Sequence, residues 1–474
     1  MFDDRSDIGE VRQPGSSHFD RERQEFTLSA AGSNMWEAHD ECHFVWKRVT
    51  GDFLIGAEAA LVGEGVDPHR KLGVMFRDSL EPDAAYVDIA VHGDRTTSMQ
   101  LRRAKGATTE QVHGPILGAE VVQLERKGDR FTMRVAWRGE PFATERTVEV
   151  NLADEAYVGI FLCSHNADVT EQGTFRNVRL VAPAAEDFVP YRDYIGSNIE
   201  ILDVETGRRE IVHESPDSLQ APNWTLDGKA LIYNSNGRLF RFDLATQTPM
   251  VIDTGIATAN NNDHVLSFDG ATLGISHHSE EDGGASNVYT MPAGGGEPKR
   301  VTPKGPSYFH GWSPDCRELV FTGVRGDATD IYKIPSAGGD EVRLTEADGV
   351  DDGPEFTPDG QWIYFNSSRS GRMQIWRMTA SGADQQQVTD DRFNNWFPHV
   401  SPDGRWIVFL SFGPEVDSDD HPFYKQVTLR LMPVGGGPAR VIAYLYGGQG
   451  TINVPSWSPD SKRLAFVSNT AAAP

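Results

Sequence analysis

Ser401-Pro402-Asp403-Gly404 is one of six returns of a short turn in the C-terminal half of the chain. The others read Trp224-Thr225-Leu226-Asp227-Gly228, Ser267-Phe268-Asp269-Gly270, Ser313-Pro314-Asp315-Cys316, Thr357-Pro358-Asp359-Gly360 and Ser458-Pro459-Asp460-Ser461. From Asp227 to Asp460 the aspartates step by 42, 46, 44, 44 and 57 residues. That is the length of one four-stranded propeller blade, not of a helical repeat.

A second punctuation runs between these turns: Asp203-Val204-Glu205-Thr206-Gly207, Asp243-Leu244-Ala245-Thr246, Pro292-Ala293-Gly294-Gly295-Gly296, Pro335-Ser336-Ala337-Gly338-Gly339, Thr379-Ala380-Ser381-Gly382 and Pro433-Val434-Gly435-Gly436-Gly437. Each follows an apolar strand such as Ile331-Tyr332-Lys333-Ile334, so the glycines are hairpin turns and not phosphate cradles. An outer hairpin, residues 198–212, comes before any inner one, and the inner hairpin near 453–468 lacks an outer one. The two ends therefore complete one blade together, which predicts a six-bladed ring without a free sheet edge.

Residues 17–182 lack the repeat but alternate apolar and polar positions, as in His43-Phe44-Val45-Trp46-Lys47 and Arg130-Phe131-Thr132-Met133-Arg134-Val135, between turns such as Gly51-Asp52 and Gly128-Asp129. This is the pattern of antiparallel strands in a β-sandwich. The expected organisation is all-β: an N-terminal extension (1–16), a jelly-roll sandwich (17–182), a linker (183–194) beginning in Ala182-Pro183-Ala184-Ala185, and the propeller (195–474).

Lys and Arg number 44 against 69 Asp and Glu, a formal charge of −25, which opposes binding to nucleic acid. No apolar run is long enough to span a membrane, and the N-terminus lacks the pattern of a secretory leader. Cys42, Cys163 and Cys316 are scattered without metal-ligand spacing and are expected as buried free thiols. A cytoplasmic location is expected.

Strand direction sorts the remaining residues. With strands A to D of each blade alternating in direction, both families of turns fall on one face, and the B-to-C and D-to-A loops on the other. That second face gathers His264, His310, His399, Asp352, Asn395, Trp396 and Asn453 from the starts of A strands, and Arg325 and Arg369 from B-to-C loops. It also receives Gln449 and the blade-five insertion Asp419-Asp420-His421-Pro422-Phe423-Tyr424-Lys425. A small polar ligand could be held there from several blades. His264, His310 and His399, with an oxygen from Gln449 or Asp352, could hold a divalent ion, Mn, Zn, Fe or Ni in preference to Ca. Alternatively each imidazole bonds a neighbouring carbonyl or carboxylate. The aromatic rings could stack on sugar faces or fill the gaps between blades.

The repeated turns resemble those of TolB-type propellers, also found in tricorn-like and prolyl-oligopeptidase-like proteins. No Gly-x-Ser-x-Gly elbow accompanies them, so a serine peptidase is not expected. The order Trp46, Gly73-Val74-Met75-Phe76-Arg77-Asp78, Tyr157-Val158-Gly159-Ile160-Phe161 resembles concanavalin-like and laminin-G-like domains. The histidine-bearing face is similar to that of oligogalacturonate lyases, whose propeller holds a divalent ion through histidines and glutamine. That resemblance implies an ion that acidifies a C–H beside a sugar carboxylate, Arg325 or Arg369 clamping the acid, and His421, Tyr424 or Lys425 moving the proton. Two functions follow: recognition, with metal-assisted cleavage, of a small saccharide or sugar acid, or a non-catalytic TolB-like module for a protein partner.

Overall fold

The computed structural model describes residues 1–471, which fall into two compact units, 1–183 and 184–471. Both are built from β-strands. No helix among the described residues is long and apolar enough to cross a membrane.

The first unit is a sandwich of two seven-stranded antiparallel sheets. One orders its strands Asp4–Ile8, Cys42–Thr50, Glu155–Cys163, Lys71–Arg77, Tyr86–His92, Thr97–Arg102 and Glu110–His113. The other runs Arg146–Glu149, Arg130–Ala136, Val121–Lys127, Phe53–Leu61, Asn166–Val181, Glu25–Gly32 and Ser16–Asp20. Alternate residues of both sheets, among them Leu72, Phe76, Ile89, Leu124 and Phe131, meet in one buried core. Burial of such side chains, at about 25 cal/mol per Å² of apolar surface, is the main stabilising term.

Residues 4–8 belong to this sandwich and are no extension: Ser6 pairs with Phe44, and Ile8 is fully buried. Their polar sequence hides the strand, because Asp7 turns its carboxylate to His43 Nδ1 at 2.8 Å instead of to water. The far side of the first sheet is closed by the hairpin Met35–Trp36 and His39–Asp40. Asp40 accepts hydrogen bonds there from the buried guanidinium groups of Arg77 and Arg102. Arg77 is thus part of a buried ion triad and not an open strand-face group.

The second unit is a six-bladed propeller. Five blades are complete four-stranded antiparallel sheets, beginning with Gln220–Trp224, Asn260–Leu266, Ser307–Trp312, Asp351–Phe356 and Asn394–Val400 as strands A. The sixth joins Arg463–Asn469 to Ser197–Asp203, with Ile199 opposite Val467, and then to Arg209–Ser215; a bridge from Trp457 to Leu464 marks its strand A. The first strands of the unit are thereby clasped to the last. Glu200, fully buried in this clasp, is bonded by Arg209 at 2.9 and 3.1 Å and by Ser468 Oγ at 2.6 Å.

The repeated turn has one physical cause throughout. A Ser or Thr hydroxyl donates to the Asp two residues on, at 2.6 Å in Thr225–Asp227, Ser267–Asp269, Ser313–Asp315, Thr357–Asp359 and Ser401–Asp403, and at 2.5 Å in Ser458–Asp460. The aspartate then caps the amide two residues further on, as Asp359 does for Gln361 at 3.0 Å.

Candidate functional site at the propeller mouth

Strand A of each of the first five blades loses register with strand B near its start. The slips lie between Gln220 and Asn223, Asn260 and His264, Phe309 and Gly311, Asp352 and Glu355, and Trp396 and His399. Such bulges re-aim side chains that a regular strand would turn into the neighbouring blade. Two are held by non-glycine residues in left-handed backbone, Ala221 (φ 53°) and Phe397 (φ 54°). Strain of this kind persists where surrounding structure dictates it, often at ligand sites.

The bulged segments surround a cavity of about 730 Å³ on the face of the B-to-C and D-to-A loops. Asn260, Asn261, Asn262 and Asp263 enter it from blade two, Tyr308 and His310 from blade three, Asp352 from blade four, and Trp396 and Phe397 from blade five. His421 and Phe423 of the long blade-five loop, with Gln449 and Asn453, complete the wall. Among the described residues no lysine or arginine lines it.

At its floor the charges are paired. His310 Nε2 lies 3.3 Å from Asp352 Oδ1, which also accepts from Thr322 Oγ1 at 2.6 Å. Burial alone pulls the His310 imidazole down, but the carboxylates of Asp263 and Asp352 outweigh it and raise it to about 9. Burial pushes Asp352 up, and the hydrogen bond and charge of His310 more than reverse this, holding the carboxyl below its ordinary range. His421 Nε2 approaches the other Asp352 oxygen at 3.9 Å, its ring edge-on to Trp396 with centroids 4.6 Å apart. Three buried polar atoms of lining residues have no protein partner: Asn260 Oδ1, Trp396 Nε1 and His421 Nδ1.

The residues singled out from sequence divide sharply. His310, Asp352, His421, Trp396, Gln449 and Asn453 meet in the cavity, where Asn453 Nδ2 donates to Gln449 Oε1 at 2.8 Å. The other two metal candidates do not join them. His264 is buried with Nε2 3.2 Å from the Ile232 carbonyl oxygen, and burial pulls it down to about 4. His399 sits between Glu355, at 2.5 Å from Nδ1, and the carbonyl of Ile452. Among the described residues no three His, Cys, Asp or Glu side chains are grouped so as to hold a metal ion. The donor set His264, His310, His399 and Gln449 therefore does not fit an ion, because two of its imidazoles are spent on the fold.

The expected acid clamps are also structural. Arg325 is bidentate to Glu341 at 2.9 and 2.8 Å and lies over the Tyr332 ring. Arg369 bonds Asp351 at 2.6 Å and Ser367 at 2.7 Å and lies over Trp376. Asn395 is fully buried, donating to Gln374 and accepting from Ser411. Tyr424 accepts from the amide of Ile195 at 3.0 Å, and Lys425 points to solvent at a strand start; neither lines the cavity.

Sequence reading missed Asp263, Asn260 and the two tyrosines Tyr191 and Tyr194. The last two lie in the segment expected to be a linker, yet both line the cavity and pack against Phe423 at centroid distances of 5.4 and 5.7 Å. The aromatic spacing of Tyr191 and Tyr194 in a short polar connector was the available signal.

A bulged-strand propeller with a polar cavity at one mouth defines the class. Residues 309–417 match the TolB beta propeller domain. An uncharacterized protein of Agrobacterium fabrum is 45% identical over 272 residues, 57% of this chain and 92% of its own length. A solved structure provisionally ascribed to TolB of Agrobacterium tumefaciens is 44% identical, with a TM-score of 0.57, covering 59% of this chain and all of that one. The chain belongs to the TolB-like β-propeller family. An oligogalacturonate lyase of Vibrio parahaemolyticus is 14% identical over 57% of this chain and 83% of its own, with a TM-score of 0.40, a distance at which no activity carries over.

Proposed function

We propose that the propeller is a recognition module whose mouth binds a small hydroxyl-rich molecule, a saccharide. The observation that carries this reading is the wall itself: amide side chains and aromatic rings with no lysine or arginine, around about 730 Å³. Sugars present hydroxyls that donate and accept in their rings' plane and apolar C–H faces above and below it. The side-chain amides of Asn236, Asn262 and Gln449 suit the first, and Tyr191, Tyr194 and Phe423 suit the second. A cavity of this size accommodates a mono- or disaccharide. A wall without lysine or arginine argues against a sugar acid.

Ligand-observed NMR with a panel of neutral mono- and disaccharides tests the reading. Saturation transfer to at least one sugar, abolished by Trp396→Ala and weakened by Asn453→Ala, is expected. No transfer to any of them from the folded protein would sink it.

A second reading, a docking module for a protein partner, is favoured by the opposite mouth. There Leu226, Phe268, Trp312, Trp457 and a rim of prolines line an apolar groove of about 340 Å³, with Leu226 and Phe268 exposed. Loss of a co-purifying partner on Leu226→Arg, with sugar binding intact, would separate the two.

A further inference from the structure

Three carboxylates, Asp263, Asp352 and Asp419, line the mouth together with three imidazoles, His278, His310 and His421, and among the described residues no lysine or arginine does. Asp352 is matched by His310 at 3.3 Å. Asp263 is not matched in this way. It is 4% exposed, has no ion pair among the described residues, and its Oδ2 accepts from the neutral amide of Asn261 at 2.7 Å. Burial raises its pKa, and the neighbouring charge of His310 only partly opposes this. A buried carboxylate facing a cavity without its own cation is stabilised by one that arrives with a ligand.

An independent observation points the same way. Asn260, 6% exposed, spends both protons of its amide on the carbonyls of Gly237 and Ala257, at 3.0 and 2.7 Å, which leaves Oδ1 as an acceptor without a donor. The rim adds the faces of Tyr191, Tyr194 and Tyr308, which attract cations. The buried Trp396 Nε1, which can only donate, has no protein acceptor.

We propose that the ligand of the mouth is an amino sugar, a hydroxyl-bearing organic ammonium ion whose positive charge is drawn to Asp263. This deepens the saccharide reading and rests on it. Asp263 acts as the charge-selecting residue, and Asn260 Oδ1 supplies an acceptor beside it on the same strand.

Isothermal titration of the full chain with glucosamine, glucose, N-acetylglucosamine and putrescine tests the proposal. Glucosamine is expected to bind about tenfold more tightly than any of the other three, the worth of a charge-assisted hydrogen bond. In Asp263→Asn, which keeps an oxygen for Asn261, that preference falls to within about twofold. Should this variant not fold, the wild-type comparison stands alone, and the exposed Asp419→Asn is expected to lower glucosamine affinity by about two- to threefold. Glucose or N-acetylglucosamine binding as tightly as glucosamine overturns the ammonium inference and leaves the saccharide reading standing. Putrescine equal to glucosamine overturns the amino-sugar assignment. Binding of none of the four, nor of any sugar in the NMR panel, overturns both.

Discussion

The imidazole of His310 and the carboxylate of Asp352 come from neighbouring blades and meet at 3.3 Å on the floor of the mouth, both almost closed to solvent. His310 is raised to about 9 because Asp263 and Asp352 outweigh the burial that pulls it down. A raised imidazole contributes its full stabilisation below its unfolded pKa, about 6.5, and the contribution is lost as pH climbs through its folded value. Asp352→Asn is therefore expected to cost about 3–5 kcal/mol near pH 6, with the deficit narrowing as pH rises from about 6.5 to about 9. Thermal unfolding of both proteins across this range checks it. A deficit independent of pH would remove the ion pair from the account.

The clasp that closes the ring encloses one buried ion pair, Glu200 with Arg209. Glu200→Ala removes the carboxylate that pairs with Arg209, a side chain 4% exposed that also donates to the Tyr444 carbonyl and lies over the Phe466 ring. A loss of about 3–5 kcal/mol in urea denaturation is expected, since the charge left behind stays buried. A loss below about 1 kcal/mol would mean that backbone pairing of the clasp suffices.

Arg369 separates scaffold from site. With Nε and both terminal nitrogens engaged by Ser367, Gln385 and Asp351, Arg369→Ala should lower the melting temperature yet leave glucosamine affinity within about twofold. Collapse of affinity without loss of stability would restore it as a ligand clamp.

Thiol chemistry should distinguish the cysteines. Cys42 and Cys163 are buried, and burial pushes the Cys163 thiol to about 11, whereas Cys316 is partly exposed on its turn. An aromatic disulfide reagent at mildly alkaline pH is expected to titrate Cys316 alone in the native protein and all three cysteines in denaturant. Rapid reaction of a second thiol in the folded state would contradict the packing around Cys163.

Much of the propeller is legible in the sequence because its signals are local. The hydroxyl of Thr357 and the carboxylate of Asp359 are two residues apart, so the turn is written into the tetrapeptide that forms it. Counting such turns yields the blades, and the mismatched ends yield the clasp of Ser197–Asp203 on Arg463–Asn469. The site is less legible. Periodicity places His264, His310 and His399 at equivalent ends of A strands but cannot tell which side chain a bulge rotates into the cavity. His310 faces the mouth, while His264 turns to the Ile232 carbonyl and His399 to Glu355. Arg325 and Arg369 likewise sit in the expected loops, yet each finds its carboxylate within the fold.

The sequence by itself determined the blade count, the strand direction and hence the face on which a ligand site would form, since each rests on contacts between residues close in the chain. Only the tertiary structure decided which polar groups on that face remain open. That choice depends on the register slips of five inner strands and on partners such as His310 and Asp352, 42 residues apart, whose meeting no local pattern records.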